Sequence, residues 1–210
     1  MRRSLAILLL AALAGLGACA RPAPPPNRPS AVSPPGDPRR GAGIAVACLA
    51  CHGAAVYTTG APPFEAPRLG HQRASSIFYA LQDYRDGRRQ SEVMRPVAGQ
   101  LDDQQMRDVA AYLASTPLKI PTPQLAGSPA YALTVTHCSL CHGETGLGEV
   151  DGTPILTGQR ESYLEHALAA YRAGARKEPT MQAMARALSP DEVGLAASYY
   201  AAQQGLEVAR

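Results

Sequence analysis

The amino-acid sequence predicts an all-α protein made of two tandem copies of one small helical module. Three observations predict it: an internal repeat, apolar residues at helical spacing, and no convincing strand-like alternation. The segments "ALQDYRDGRR" (80–89) and "ALAAYRAGAR" (167–176) align at an offset of 87 residues. Further pairs align at the same offset: Pro67 with Pro154, Leu69 with Leu156, Gln72 with Gln159, Met94 with Met181, Leu101 with Leu188, and Tyr112 with Tyr199.

The helices of each module have recognisable cores and ends. Ile77, Leu81 and Tyr84 fall at i, i+4 and i+7 before Gly87, which stops the run. The second module repeats this pattern before Gly174. The last helix of each module opens with a capping signal, "DDQQ" (102–105) in the first and "SPDE" (189–192) in the second.

The chain divides into five predicted segments. They are a signal peptide (1–19), a proline-rich spacer (20–38), a first module (39–116), a linker (117–127) and a second module (128–210). The spacer contains eight prolines and almost no large apolar residue, so it cannot form a packed core. Because it ends only about ten residues before Cys48, we expect the leading helix of the first module to be short.

The leader indicates export. "MRRS" is a basic n-region, and the apolar run after it is short for a membrane span. "LGAC" (16–19) resembles a bacterial lipobox, which predicts acylation of Cys19 and a periplasmic, membrane-anchored protein. Ordinary cleavage after Ala20 is the alternative. Lys and Arg number 20 against 17 Asp and Glu, too small an excess for a nucleic-acid surface.

The motif Cys-x-x-Cys-His-Gly occurs twice, with its thiols at Cys48, Cys51, Cys138 and Cys141. A disulfide redox site does not require the histidine, and a zinc knuckle usually separates its two pairs by about 15 to 20 residues. Covalent haem attachment uses two thiols for thioethers and the next histidine for iron, here His52 and His142. The motif therefore favours two haem c groups, which would also help to stabilise two modules with small cores.

A second iron ligand must come from elsewhere in each module. Met94 and Met181 align in the repeat, whereas Met106 has no repeat partner. Met184 is a rival to Met181. His71, His137 and His166 are expected at the surface or around the site rather than on the iron. The motifs themselves align at an offset of 90, so the first module has three extra residues between His52 and Pro67, expected in a longer surface loop.

Together, "CLACHG" and "CSLCHG", Pro-x-Leu-x-x-Gln, "YRDGRR" and "YRAGAR", the aligned methionines and the last helices resemble class I cytochrome c modules. Two in tandem resemble the dihaem cytochrome c4 family. The resemblance implies that the carbonyl groups of Pro67 and Pro154 orient the histidine rings. It also implies an electron carrier rather than an enzyme, since both irons would be closed.

The expected function is electron transfer in a periplasmic respiratory chain, with His/Met ligation favouring a relatively high potential. The expected partners are redox proteins: a quinol-oxidising complex or a dehydrogenase as donor, and a terminal oxidase or reductase as acceptor. The alternative is an electron-transfer subunit of a periplasmic dehydrogenase. The tandem repeat and the differences around the first motif favour a relay in which the two modules face different partners.

Overall fold

A computed structural model describes residues 35–53, 58–59, 64–115, 124–148 and 152–206. The predicted leader with Cys19, the spacer up to residue 34 and linker residues 117–123 lie outside these ranges. The all-α fold class is confirmed, since helices dominate the described ranges. The elements are α1 (Pro38–His52), β1 (Thr58–Thr59), β2 (Phe64–Glu65), α2 (Ala74–Arg85), α3 (Met94–Gly99), α4 (Asp103–Leu113), α5 (Pro129–His137), α6 (Ser139–His142), α7 (Glu161–Arg172), α8 (Pro179–Ala187) and α9 (Pro190–Ala202).

Each module packs its first helix against its last. In the first module α1 lies against α4, and α2 packs on both α3 and α4. In the second module α5 lies against α9, and α7 packs on both α8 and α9. The two clusters of buried side chains follow the same plan, with Met106 and Val109 of α4 in one and Tyr199 and Tyr200 of α9 in the other.

The predicted capping signals form as expected. The Asp102 side chain accepts a hydrogen bond from the backbone N–H of Gln105, and the Gln105 side chain accepts one from the Asp102 N–H. Ser189 and Glu192 form the same reciprocal pair at the start of α9. Each pair satisfies backbone donors that a helix end would leave unpaired. Both capping predictions are therefore confirmed.

The expectation of a short leading helix in the first module is wrong. Helix α1 has 15 residues, whereas α5 has 9 and stops before Cys138. Pro38 occupies the first turn of α1 and the Asp37 side chain caps it by accepting from the Arg39 N–H. The last residues of the predicted spacer therefore begin the helix.

Asp108 of α4 anchors this helix start. It accepts the Asp37 N–H at 2.7 Å, the Arg40 Nε at 2.7 Å and the Gln104 Nε2 at 2.8 Å. The hydrogen bond from Arg40 is the main reason that the pKa of Asp108 lies well below its usual range. Asp108 is only 2% exposed, so its charge depends on these donors.

The described part of the insertion in the first module forms a short hairpin rather than a simple surface loop. Thr58 pairs with Glu65 and Thr59 with Phe64 in a short antiparallel hairpin. The hairpin lies against α7 of the second module, where the Phe64 ring stacks on the His166 ring at 3.6 Å. Glu65 also forms an ion pair with Arg160. The expectation of a simple surface loop missed this contact between modules.

A second contact joins the modules around an approximate two-fold relation. Arg89 forms an antiparallel bridge with Arg176, its repeat equivalent. The Gln90 N–H donates to the Ala175 carbonyl at 2.9 Å, and the Lys177 N–H donates to the Arg88 carbonyl at 2.8 Å. Residues related by the offset of 87 thus exchange equivalent hydrogen bonds. In the described part of the chain, no helix is long and apolar enough to cross a membrane.

Candidate functional site

The two cysteine motifs sit at the C-terminal ends of the leading helices. Cys48, Cys51 and His52 occupy the last turn of α1. In the second module Cys138 lies between α5 and α6, and the motif ends in α6. None of these four cysteines forms a disulfide bond with another described cysteine, and all four are partly buried. Among the described residues, no group of three or more His, Cys, Asp or Glu side chains is placed to hold a metal ion.

Burial keeps the first thiol of each motif, Cys48 and Cys138, in the protonated form. Burial raises the pKa of the Cys48 thiol and raises the pKa of Cys138 to about 11. A redox-active Cys-x-x-Cys needs at least one thiol with a lowered pKa, because the thiolate is the nucleophile. These thiols are protonated at neutral pH, which leaves them available for thioether bonds.

The histidine of each motif is held by a backbone carbonyl. His52 Nδ1 lies 2.9 Å from the carbonyl oxygen of Pro67, and His142 Nδ1 lies 3.2 Å from that of Pro154. Burial lowers the pKa of both imidazoles, and the carbonyl contact offsets part of this effect. Both rings are therefore neutral near pH 7, with Nδ1–H donating to the carbonyl. The second nitrogen, Nε2, is then a lone-pair donor suited to iron.

The methionines lie on the short helices that precede the last helix of each module. Met94 begins α3, where its N–H donates to Ser91 Oγ at 3.1 Å, and it packs against the buried cluster of its module. Met181 lies in the first turn of α8, where its N–H donates to Glu178 Oε2 at 2.6 Å. Met184 follows one turn later and is also half-buried. Met106 is fully buried in α4.

An arginine and tyrosine cluster occupies the contact between the modules. The Arg89 guanidinium lies 4.4 Å from the Tyr84 ring, and Arg176 lies 4.4 Å from the Tyr171 ring. Arg89 Nη2 also donates to Tyr163 Oη at 2.6 Å. Burial would raise the pKa of Tyr163, but the two guanidiniums outweigh it and lower that pKa to about 8.

Neither Arg89 nor Arg176 forms an ion pair with a carboxylate in the ranges that the structure covers. Cations in such half-buried surroundings favour an anionic partner. These arginines have no role that the sequence pattern alone indicates, although "YRDGRR" and "YRAGAR" carry them at the same repeat position. Protonated thiols, a neutral imidazole with one free nitrogen, and two guanidiniums form a donor set that fits haem c, whose propionates are anionic.

Comparisons with known proteins identify relatives over most of the chain. Residues 39–117 match the family model described as Cytochrome c. A thiosulfate dehydrogenase electron acceptor from Stutzerimonas stutzeri is 36% identical over 75% of this chain and 79% of its own length. A cytochrome c4 from Pseudomonas aeruginosa is 31% identical, over 78% of this chain and 87% of its own length.

Two solved structures have the same fold. Reduced recombinant cytochrome c4 from Pseudomonas stutzeri matches with a TM-score of 0.65 and 26% identity, over 82% of this chain and all of that one. A thiosulfate dehydrogenase from Marichromatium purpuratum matches with a TM-score of 0.63 and 27% identity, over 79% of this chain and 40% of that one. The matches to cytochrome c4 span both modules.

Proposed function

The chain belongs to the dihaem cytochrome c4 family, and we propose that its two modules relay electrons from one protein partner to another. Membership of the family means an electron carrier with two covalently bound haem c groups. The observation that carries the relay proposal is the approximate two-fold contact, which holds the two equivalent motif-bearing modules together through paired backbone hydrogen bonds.

In this proposal each module supplies one complete set of haem contacts. Cys48 and Cys51 would attach the first haem, and His52 and Met94 would hold its iron. In the second module, Cys138 and Cys141 would attach the haem, and His142 and Met181 would hold its iron. The carbonyls of Pro67 and Pro154 orient the imidazoles, and their distances to Nδ1 support those roles. Bound haem c supplies a one-electron Fe(III)/Fe(II) couple.

The protein's own groups would prepare the site for that couple. The carbonyl contacts fix each imidazole ring in one tautomer, so that the nitrogen facing the iron carries a lone pair. Arg89 and Arg176 would pair with the propionates and lower their cost of burial. If Met94 and Met181 held the two irons, both sites would be closed to substrates, which favours electron carriage over catalysis.

The cellular setting completes the proposal. A periplasmic location follows from the predicted export signal, and acylation of Cys19 would tether the protein to a membrane through the proline-rich spacer. In that position it would accept electrons from a quinol-oxidising complex and pass them to a terminal oxidase or reductase.

A thiosulfate dehydrogenase is the second candidate donor. The observation that favours it is the similarity to a relative named as the electron acceptor of such an enzyme and to part of a thiosulfate dehydrogenase structure. In this role the chain would serve as the electron-accepting subunit of a dehydrogenase. The two donors differ in their protein surfaces, so direct kinetic comparison separates them.

Rapid mixing of the oxidised full-length protein with each prereduced donor tests the relay. We expect one haem to be reduced at a rate that rises with donor concentration. The second should follow at a rate independent of donor concentration, because that electron crosses within the molecule. If both phases scale with donor concentration, each haem accepts electrons directly and the relay is wrong. The donor that gives the faster first phase is the favoured partner.

A further inference from the structure

Two buried glutamines reach across the contact between the modules. Gln72 and Gln159 are repeat equivalents and are 8% and 3% exposed. Gln159 Nε2 donates to the Arg68 carbonyl at 3.0 Å, while the Arg68 N–H donates back to Gln159 Oε1 at 2.8 Å. In the same way, Gln72 Nε2 donates to the Ile155 carbonyl at 2.9 Å and accepts the Ile155 N–H at 2.8 Å. Each side-chain amide therefore pairs with one backbone residue of the other module.

These backbone residues directly follow the prolines that contact the histidines. The carbonyl of Pro67 and the N–H of Arg68 are the two ends of one planar peptide group. A hydrogen-bonded chain therefore runs from His52 Nδ1 through that peptide group to Gln159 Oε1. The equivalent chain of hydrogen bonds in the other direction runs from His142 Nδ1 through the peptide group of Pro154 and Ile155 to Gln72 Oε1.

We propose that each glutamine lowers the reduction potential of the haem in the opposite module. It does so by polarising the peptide group that accepts the hydrogen bond of the motif histidine. Gln159 in the second module acts on the first haem, and Gln72 in the first module acts on the second. The proposal rests on the assignment of His52 and His142 as iron ligands.

The direction of the effect follows from amide polarisation. An acceptor on the N–H side of a peptide group increases the electron density on its carbonyl oxygen. That carbonyl then binds the imidazole Nδ1–H more strongly, and the imidazole becomes a better donor to iron. A better donor stabilises Fe(III) relative to Fe(II). Removing the glutamine should therefore favour the reduced state of the opposite haem.

A different result is expected if Gln72 and Gln159 have a purely structural role. Gln159 Oε1 also accepts the Arg160 N–H at 3.0 Å, at the start of α7 in its own module. Gln72 Oε1 accepts the Arg73 N–H at 3.0 Å, at the start of α2. If the glutamines only fixed these helix starts, each would affect mainly the haem of its own module. An effect on the opposite haem separates the two roles.

The test uses the full-length protein with both haems. In Gln159→Leu, proton NMR of the reduced state should show faster exchange of the His52 Nδ1–H, by about two- to tenfold if cooperative strengthening is 10–30% of one buried hydrogen bond. At a fixed ambient potential, the ratio of reduced to oxidised first haem should rise by a similar factor. Gln72→Leu should produce the same changes at His142 and the second haem.

Two control variants distinguish tuning from a loosened interface. Ser162→Ala removes a hydrogen bond from the Glu65 N–H across the same contact, but Ser162 is not part of either chain of hydrogen bonds. It should leave both histidines unchanged. Gln159→Glu keeps an acceptor oxygen for the Arg68 N–H but loses the Nε2 donor to the Arg68 carbonyl, so exchange of the His52 Nδ1–H should be slower than in Gln159→Leu.

The possible results distinguish failure of the iron-ligand assignment from failure of the proposed role of the glutamines. If the ring protons of His52 in the reduced protein lack the ring-current shift of a haem ligand, both the ligand assignment and this inference are overturned. If that shift is present but Gln159→Leu leaves the His52 Nδ1–H unchanged, only the inference is overturned. Equal responses of His52 to Gln159→Leu and Gln72→Leu would show a loosened interface and would also overturn it.

Discussion

Replacing Gly41 with alanine would test how closely the first and last helices of the first module must approach. Gly41 is buried in α1, and a Cβ atom there would lie 2.0 Å from the carbonyl oxygen of Asp108 in α4. Ordinary van der Waals contact begins at 3.4 Å, so the helices would have to separate by about 1.4 Å. The obstacle is backbone, which cannot rotate away as a long side chain would.

The magnitude follows from two opposing effects. Overpacking of a well-packed contact costs about 1–3 kcal/mol, and the upper end suits a clash with backbone. Alanine recovers about 1 kcal/mol through its higher helix propensity. We expect Gly41→Ala to lower the free energy of unfolding of the first module by about 1–2 kcal/mol. The displacement should also reach Cys48 and His52, which lie on the same helix.

The matched control is Gly43→Ala on the same helix. A Cβ at Gly43 meets no atom within 4 Å, and the residue is exposed. This variant should raise the free energy of unfolding by about 0.5–1 kcal/mol. Guanidinium titrations of the oxidised protein, followed by helical circular dichroism and by the absorption of the bound haem, would measure both. If Gly41→Ala is as stable as Gly43→Ala, the helices do not need a glycine at this contact.

Three further predictions concern a buried acid, the iron ligands and the lipid anchor. Asp108→Asn should lower the free energy of unfolding by about 1–3 kcal/mol at neutral pH. The folded-state pKa of Asp108 is lowered, so its stabilisation is present above the unfolded pKa of about 3.9 and is lost as pH falls towards the folded value. Denaturant titrations in acid should therefore show a weaker pH dependence in the variant, and an unchanged dependence would contradict the assignment. Met94→His and Met181→His should each lower the reduction potential of one haem in potentiometric titration, because imidazole stabilises Fe(III) more than a thioether does. If the potential responds to Met184→His but not to Met181→His, Met184 is the ligand in the second module. Cys19→Ser should release the protein from membranes with haem content unchanged, and mass spectrometry that finds an unlipidated N-terminus at Arg21 would rule out the anchor.

The sequence predicted correctly the structural features that depend only on residues close together along the chain. Cysteines three residues apart with an adjacent histidine stay close because they are near neighbours along the chain, even where Cys138 lies between two helices. The motif therefore indicates haem chemistry without tertiary information. The capping pairs of Asp102 and Ser189 act within one turn and were predicted correctly for the same reason. The axial roles of Met94 and Met181 remain predictions, since they depend on distances across each module.

Residue identity and periodicity alone indicate the tandem repeat, the all-α class and the family. Only the tertiary structure placed Asp108 against the start of α1 and the Phe64 hairpin against α7. It also decided that Gln72 and Gln159 pair with the opposite module. These contacts join residues about 70 to 100 positions apart, and pairing at that range depends on how folded surfaces meet rather than on local pattern.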